Sequence, residues 1–581
     1  MVGAIDMGRE KGQVRRSQLI TTYGVGSIIA VEDESFMVAG IDQWDVLTPN
    51  MHEPRLEKEL RVDGFVLPPE SGSGVKVPVA RFPLWYSCPG CDTLNEHRFF
   101  AGKWDNRCNA CGQNLIPSRF VTVCRRGHID DFPYFLWVHH GHPKSNASAH
   151  RMSIRALGNT ASLRDIVISC DCGVPPRTME GAFGKFALVQ IRKCQGRRPW
   201  LETADPVACD EVPRTLQRGA SNVWFPIVHS ALSIPPWSEG AFRAINRAWR
   251  TLQHVPDEAL AATISGMKLA HGTPYAVDDL VRAVQQRKAS VQGQDSGPDS
   301  IKSEEYDALC RGAADRGVKA DFVCVPAKAL GPFASAWFSQ VQVVSRLREV
   351  RAMSSFGRLL PPVPGDPPEY RAPLFEADPR WLPGIEVSGE GVFIRLEHSR
   401  LEKWEAQSVV RSRSQRIHDN YAARLARQGL KPSRVITPRL LLLHTLAHAL
   451  INQFSLDSGY PAAALRERLY AADEMSGLLI YTATSDSAGS FGGVVAQAEP
   501  ARFDAALAEA FERSSWCSGD PLCVEADAAG VDALNLAACH ACVLLPEVSC
   551  EEMNVFLDRA MLIGTPVDES IGYFSQSAVP A

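Results

Sequence analysis

The hydrophobic pattern divides the chain into short strands, a mixed helical middle and one long apolar helix. In residues 1–80, apolar runs alternate with glycine and acidic turns, as in LITTYGVGSIIAVEDESFMVAGIDQW, and this predicts strands. Tyr23-Gly24-Val25-Gly26-Ser27 reads as a tight turn between strands. No Lys-Ser/Thr pair follows it, so it is not a phosphate-binding loop. Residues 81–215 hold many prolines, glycines and cysteines and little helical periodicity. Helical spacing returns in GAFRAINRAWRTLQHV and YAVDDLVRAVQQRKA, and LGPFASAWFSQVQVVSRLREVRAMSSF (around 330–355) reads as an amphipathic helix. The polar, Gly/Ser-rich stretch 286–303 reads as a mobile loop, and 360–373 as a proline-rich connector. Residues 400–429 predict a long polar helix ending at Gly429.

The C-terminal part opens on RLLLLHTLAHALINQF (439–454), apolar almost all round, which marks a buried helix. SGLLIYTAT predicts a strand after it. The expected class is α+β and multidomain. Its parts are a β-rich region 1–80, a cysteine-rich zinc-binding region 81–215 with a zinc ribbon or ribbons, a mixed helical region 216–435 and an α/β zinc-binding module 436–581. A chain of 581 residues is too long for one core.

Composition narrows the function. The net charge is −5 and the sequence pI is about 6.3, so a whole-protein basic field for nucleic acid is absent and only a local patch is open. The N-terminal residues lack an apolar core segment and a small-residue cleavage site, and no apolar run reaches the roughly 20 residues of a membrane span. A soluble, cytoplasmic protein without a membrane partner is expected. In such a compartment the 16 cysteines point to metal before disulfides. Cys310 and Cys324 stand apart from the clusters and read as small buried side chains.

The strongest chemical signal is CPGCDTLNEHRFFAGKWDNRCNACGQ. Cys88-x2-Cys91 and Cys108-x2-Cys111 each fit a tight turn, and two such turns on a hairpin bring four thiolates together as a zinc ribbon. For the next group we expect Cys170, Cys172, Cys194 and Cys209 to form a second zinc site, with Cys124 and His128 as alternative ligands. Asp130 and Asp131 are then placed to orient a ligating His128. The third group contains Cys539, Cys542 and Cys550, with Cys523 or Cys517 as the fourth ligand, between which spacing alone does not decide. Two to three Zn²⁺ sites are therefore expected, all closed and structural.

His444 and His448 share a helix face one turn apart, as in zinc proteases, but Thr445 stands where the general-base glutamate belongs. They read as core histidines. The alternative is a hydrolase or nuclease that combines them with the serine-rich loop 485–493 (Ser485, Asp486, Ser487, Ser490), although no Gly-x-Ser-x-Gly elbow is present. Arginines concentrate in 400–439, and Arg411, Arg413, Arg416, Arg424 and Arg427 are the candidate DNA-binding residues.

RRSQLITTYGVGSIIAVEDESFMVAGIDQW, CRRGHIDDFPYF, RGASNVWFP, LHTLAHALINQFSLDSGYPAAALRERLY, GLLIYTATSDSAGSFGGVV and LAACHACVLLPEVSCEEMNVFLDRAML resemble the DrmB family of the bacterial DISARM anti-phage systems, nearly end to end. Residues 436–581 resemble the MrfA-like zinc-binding domain, in which a cysteine quartet binds the metal; Cys539, Cys542 and Cys550 match it, and the first ligand is ambiguous. The resemblance implies a partnership with a DrmA-like helicase subunit that carries the ATPase, DNA binding by the pair, and no catalytic residue in this chain. The absence of Walker motifs here agrees with that division of labour.

Overall fold

The computed structural model describes residues 10–575, less 45–47, 70–75, 103–104, 143–149, 158–161, 202–204, 247, 293–297, 315–320, 363–365, 379, 428, 473, 483–491 and 531–532. The fold is α+β, with a β-rich N-terminal part and a helical and mixed C-terminal part. Strands Ile28–Val31, Glu34–Val38 and Val79–Arg81 form a small antiparallel sheet. The glycine turn precedes it, following one helical turn (Gln18–Thr21) rather than a strand. Gly26 has φ +78° and lies against Phe356, where a Cβ would come within 2.3 Å of the ring, so only glycine fits this approach.

The cysteine-rich region contains two sheets of short strands. One orders Arg177–Thr178, Ile166–Cys170, Met152–Ala156, Thr93–Glu96, Trp85–Ser87 and Ile116–Pro117. The other joins Arg214–Gln217, Phe120–Val123 and Ile129–Asp131. Their apolar support is modest: one core around Phe120, Phe132, Trp137 and Ile168, and a smaller one around Tyr86, Phe100 and Leu115.

The centre of the molecule is a larger sheet whose path runs Phe225–Leu232, Phe338–Gly357, Leu382–Leu396, Gly477–Thr482, Leu465–Tyr470, all antiparallel. Here the structure corrects the expected helix at 330–355. Phe338–Gly357 is one 20-residue strand, paired on both sides. Val341, Val343, Val344 and Val350 favour this pleated, crowded setting. Layers cover both faces from Leu347 to Met353, so the polar residues in the run do not mark a solvent face, and alternation disappears. Their charges are neutralised internally: Arg351 binds the Glu349 carboxylate at 2.7 Å and Arg348 pairs with Glu386.

Other expectations shift at their edges. The helix over 400–429 is two, His398–Glu405 and Ser408–Ala426, separated by an extended Gln407, and Gly429 (φ +76°) lies in the turn beyond. The 240–255 segment also breaks, into Gly240–Asn246 and Trp249–Leu252. Helices Val277–Gln292 and Pro298–Arg311 enter the supposed loop 286–303 from either side, and its middle, 293–297, lies outside the described residues.

The apolar helix is Pro438–Ser458, as read. Thr437 caps it by accepting the Leu440 N–H at 3.2 Å, Pro438 starts its first turn, and Gly459 in the left-handed conformation ends it. It is buried along nearly its whole length among the strands Gly477–Thr482 and Leu465–Tyr470, helix Pro500–Ser514 and the C-terminal segment, inside the largest core. No helix among the described residues is long and apolar enough to cross a membrane.

Candidate metal centres

Among the described residues, five groups of cysteine, histidine and glutamate converge, each with its ligand atoms within 4.8 Å of one another. Zinc bound by four thiolates at about 2.3 Å places the sulfurs about 3.8 Å apart, well beyond the roughly 2.05 Å of a disulfide.

The ribbon forms as the spacing predicts. Cys88 lies 3.2 Å from Cys111, and Cys91 lies 3.9 Å from Cys108. Two matching turns carry them: Cys88 N–H donates to Thr93 O and Cys108 N–H to Gln113 O. Burial pushes the Cys88 thiol up to about 12. At Cys91 burial acts in the same direction, but hydrogen bonds with Thr93 outweigh it and the thiol falls to about 7.

The second expected site is reorganised. Cys170 and Cys172 meet His139 and His150, whereas Cys194 and Cys209 meet Cys124 and His128. The four cysteines therefore belong to two centres rather than one. The reason is topological. Cys170 and Cys172 leave the end of strand Ile166–Cys170 beside the turn after helix Tyr134–Val138, while Cys124 and His128 flank the hairpin turn next to 194–209. In the first centre His139 Nε2 is 3.3 Å from Cys172 Sγ and His150 Nδ1 is 3.2 Å from Cys170 Sγ. His139 Nδ1 donates to Phe135 O at 2.7 Å, which leaves Nε2 as the ligating nitrogen. A hydrogen bond from the Val174 backbone, then the neighbouring His139, lower the Cys172 thiol to about 7. In the second centre His128 Nδ1 is 3.4 Å from Cys124 Sγ and 3.6 Å from Cys194 Sγ. Cys194 is lowered to about 4, first by its hydrogen bond with Cys124, then by His128 and the Gly196 N–H against the opposing effect of burial. Asp130 pairs with Arg192 and Arg197, and Asp131 accepts the Leu84 and Trp85 N–H groups, so these carboxylates hold the backbone and arginines rather than the imidazole.

The C-terminal group is corrected in the same way. Cys517 and Cys523 are both members, with Cys539 and Cys542: Cys517–Cys539 is 3.4 Å, Cys523–Cys542 is 3.8 Å and Cys539–Cys542 is 3.7 Å. Gly519 N–H points at Cys517 Sγ at 3.3 Å and Cys539 N–H at Cys542 Sγ at 3.2 Å, as thiolate turns require. Cys550 is displaced from this quartet. It lies in the core with His444, His448 and Glu467, 3.2 Å from His444 Nε2. The two histidines are thus fully buried, as read, but they face a carboxylate and a sulfur rather than an apolar wall. Burial lowers His444, and the adjacent Glu467 carboxylate more than offsets this and raises it; at His448 burial prevails and the shift is downward.

His139 and His150 escaped the sequence reading. The signal was present in HHGHPKSNASAH, but histidines 11 residues apart match no zinc spacing until the sheet brings the Cys-x-Cys turn beside them. Cys324 is buried and Cys310 half-buried, outside every group among the described residues.

The proposed basic surface loses two members. Arg424 is only 2% exposed, and Arg413 faces inward, gripping the buried Asp558 through two hydrogen bonds of 2.7 and 3.0 Å. Helix Ser408–Ala426 packs one side against the C-terminal core, and these positions fall on that side. Arg411, Arg416 and Arg427 are exposed, and Arg416 pairs with Asp527. Of the serine-rich loop, 483–491 lies outside the described residues.

These centres could each hold a metal ion, and the helix-and-sheet module around the Cys517/Cys523/Cys539/Cys542 group carries a C-terminal zinc-binding domain. The MrfA Zn-binding domain matches residues 446–543, and a domain of unknown function (DUF8724) matches residues 15–225. Over nearly its whole length the chain is similar to the DISARM protein DrmB of Bacillus paralicheniformis (strain ATCC 9945a / NCIMB 11709 / CD-2): 29% identity over 552 residues, covering 92% of this chain and 97% of that protein. The likeness to DrmB read from the residues is thereby borne out.

Proposed function

We propose that this chain is a non-catalytic, zinc-binding scaffold subunit that pairs with a DrmA-like helicase subunit and helps it hold DNA in bacterial anti-phage defence in the cytoplasm. The observation that carries the reading is the closed character of the thiolate centres. Each supplies four protein ligands, which suits a structural ion and leaves no position for substrate. Zinc is assigned to Cys88/Cys91/Cys108/Cys111, Cys124/His128/Cys194/Cys209, His139/His150/Cys170/Cys172 and Cys517/Cys523/Cys539/Cys542. The full-length likeness to a DISARM component supports the defence role. In this reading the parts 1–80, 81–215, 216–435 and 436–581 act as one platform, and Arg411, Arg416 and Arg427 supply phosphate contacts.

Burial of His444 and His448 opposes the hydrolase or nuclease alternative, because neither ring reaches solvent. Co-expression with the helicase-like partner tests the proposal. A stable complex is expected, with ATPase activity that vanishes when the partner's phosphate-binding lysine is replaced. ATP hydrolysis by this chain alone, or DNA cleavage abolished by His444→Ala in a folded protein, overturns it.

A further inference from the structure

The remaining group sits where helix Pro438–Ser458, strand Leu465–Tyr470 and the segment after Cys542 meet. Its hydrogen bonds define which ring nitrogens carry protons. His448 Nδ1 lies 2.7 Å from Val543 O and His444 Nδ1 lies 3.3 Å from Phe556 O. A carbonyl oxygen only accepts, so each Nδ1 donates, and each neutral ring turns the lone pair of its Nε2 inward. Both lone pairs face Glu467 Oε1, at 3.2 and 3.6 Å, and His444 Nε2 also faces Cys550 Sγ at 3.2 Å. Oε1 already accepts the Glu551 N–H at 2.9 Å. His448 Nε2 and Glu467 Oε2, both enclosed by the core, have no hydrogen-bond partner among the described residues. Electron-pair donors thus converge on one point in a water-excluded interior, an arrangement that is repulsive until a cation occupies it.

We infer that His444, His448, Glu467 and Cys550 form a fifth, internal metal site for a divalent cation of zinc's ligand preference. Two imidazoles, a carboxylate and a thiolate are a complete zinc set. The carboxylate and thiolate together carry two negative charges, so a divalent ion leaves the core electrically neutral. The Glu552 and Asn554 N–H groups point at Cys550 Sγ at 3.4 and 3.2 Å and favour the thiolate, against burial and the Glu467 carboxylate, which push the free thiol well up. A proton on His444 forms an ion pair with Glu467 but leaves His448 Nε2 without a partner, whereas one metal ion engages all four side chains. Glu467, Cys550 and Glu551 also line a 760 Å³ cleft. His448 and Glu467 lie inside the span matched by the MrfA Zn-binding domain and His444 and Cys550 outside it, and the site shares no ligand with the four-cysteine centre. The ion ties the buried helix to the central sheet and to the C-terminal loop, and its presence is independent of the scaffold reading above.

Anomalous diffraction at the zinc edge from crystals of the zinc-replete, full-length protein tests the site without any substitution. The expected result is a peak between His444, His448, Glu467 and Cys550 in addition to those at the cysteine-rich centres. Peaks at those centres with none beside Cys550 overturn the inference. Metal analysis of folded Cys550→Ser and His448→Ala variants adds a second reading. One equivalent fewer than wild type supports the site, and an unchanged content in the folded double variant overturns it.

Discussion

The cysteine-rich region 81–215 and the C-terminal module 436–581 use similar ligands within opposite surroundings. The first holds three centres on short strands over small cores, and Cys91, Cys111 and Cys172 are exposed. The second sets the histidine group on a 21-residue helix buried in the largest core of the molecule, with Cys542 of the quartet packed on a small cluster of Ala538, Val543 and Leu557. Where apolar burial is scarce, metal coordination carries the folding free energy. Where it is plentiful, the metal adds to a core that already excludes water.

The largest expected effect follows directly. Structural zinc contributes on the order of 10–16 kcal/mol in small peptides. Removal of metal with a strong chelator is therefore expected to abolish hydrogen-exchange protection in 81–215 while protection persists in Pro438–Ser458. Equal loss in both regions would break the contrast. Next in size is Arg413→Ala, which strands the buried Asp558 carboxylate and is expected to destabilise the C-terminal module by about 3–5 kcal/mol, seen as a lower urea midpoint without loss of bound zinc. Loss of zinc with it would mean that core and metal are not separable there.

Acid should separate the regions in order. Proton competition for the thiolates releases zinc first and unfolds 81–215. The central sheet responds later. Burial pushes Glu349 up, but Arg351 and then Arg466 outweigh it and hold the carboxyl at about 2. Because this folded value lies below the ordinary 4.5, Glu349 contributes stability above the unfolded value, and that contribution is lost as pH falls through about 2. Circular dichroism and exchange across a descending pH series should show two steps, and a single step at the first would remove the distinction. The smallest stability effect belongs to Arg411→Ala and Arg427→Ala, within about 0.5 kcal/mol. In the complex with the helicase partner, each is expected to lower the salt slope of DNA binding by about one if its phosphate contact exists. An unchanged slope moves DNA off this helix.

Local signals were legible without the fold. The two Cys-x2-Cys turns at 88–111 predicted their centre because each pair lies within one turn and a short hairpin joins them. Cys539 and Cys542 were recognised for the same reason, and the capped apolar helix followed from Thr437, Pro438, the leucine run and Gly459. The strand Phe338–Gly357 was misread because burial on both faces erases the polar–apolar alternation by which a strand is recognised.

The sequence by itself determined the α+β class, the clustering of cysteines that could hold zinc, the resemblance to DrmB and which helix would be buried, since these depend on residue types at short separation. The tertiary structure decided the partnerships at long separation: His139 and His150 with Cys170 and Cys172, Cys517 beside Cys523 in one quartet, and Cys550 withdrawn to His444, His448 and Glu467. The physical reason is that a metal site constrains distances in space, and spacing along a chain reports those distances only when a single turn connects the ligands.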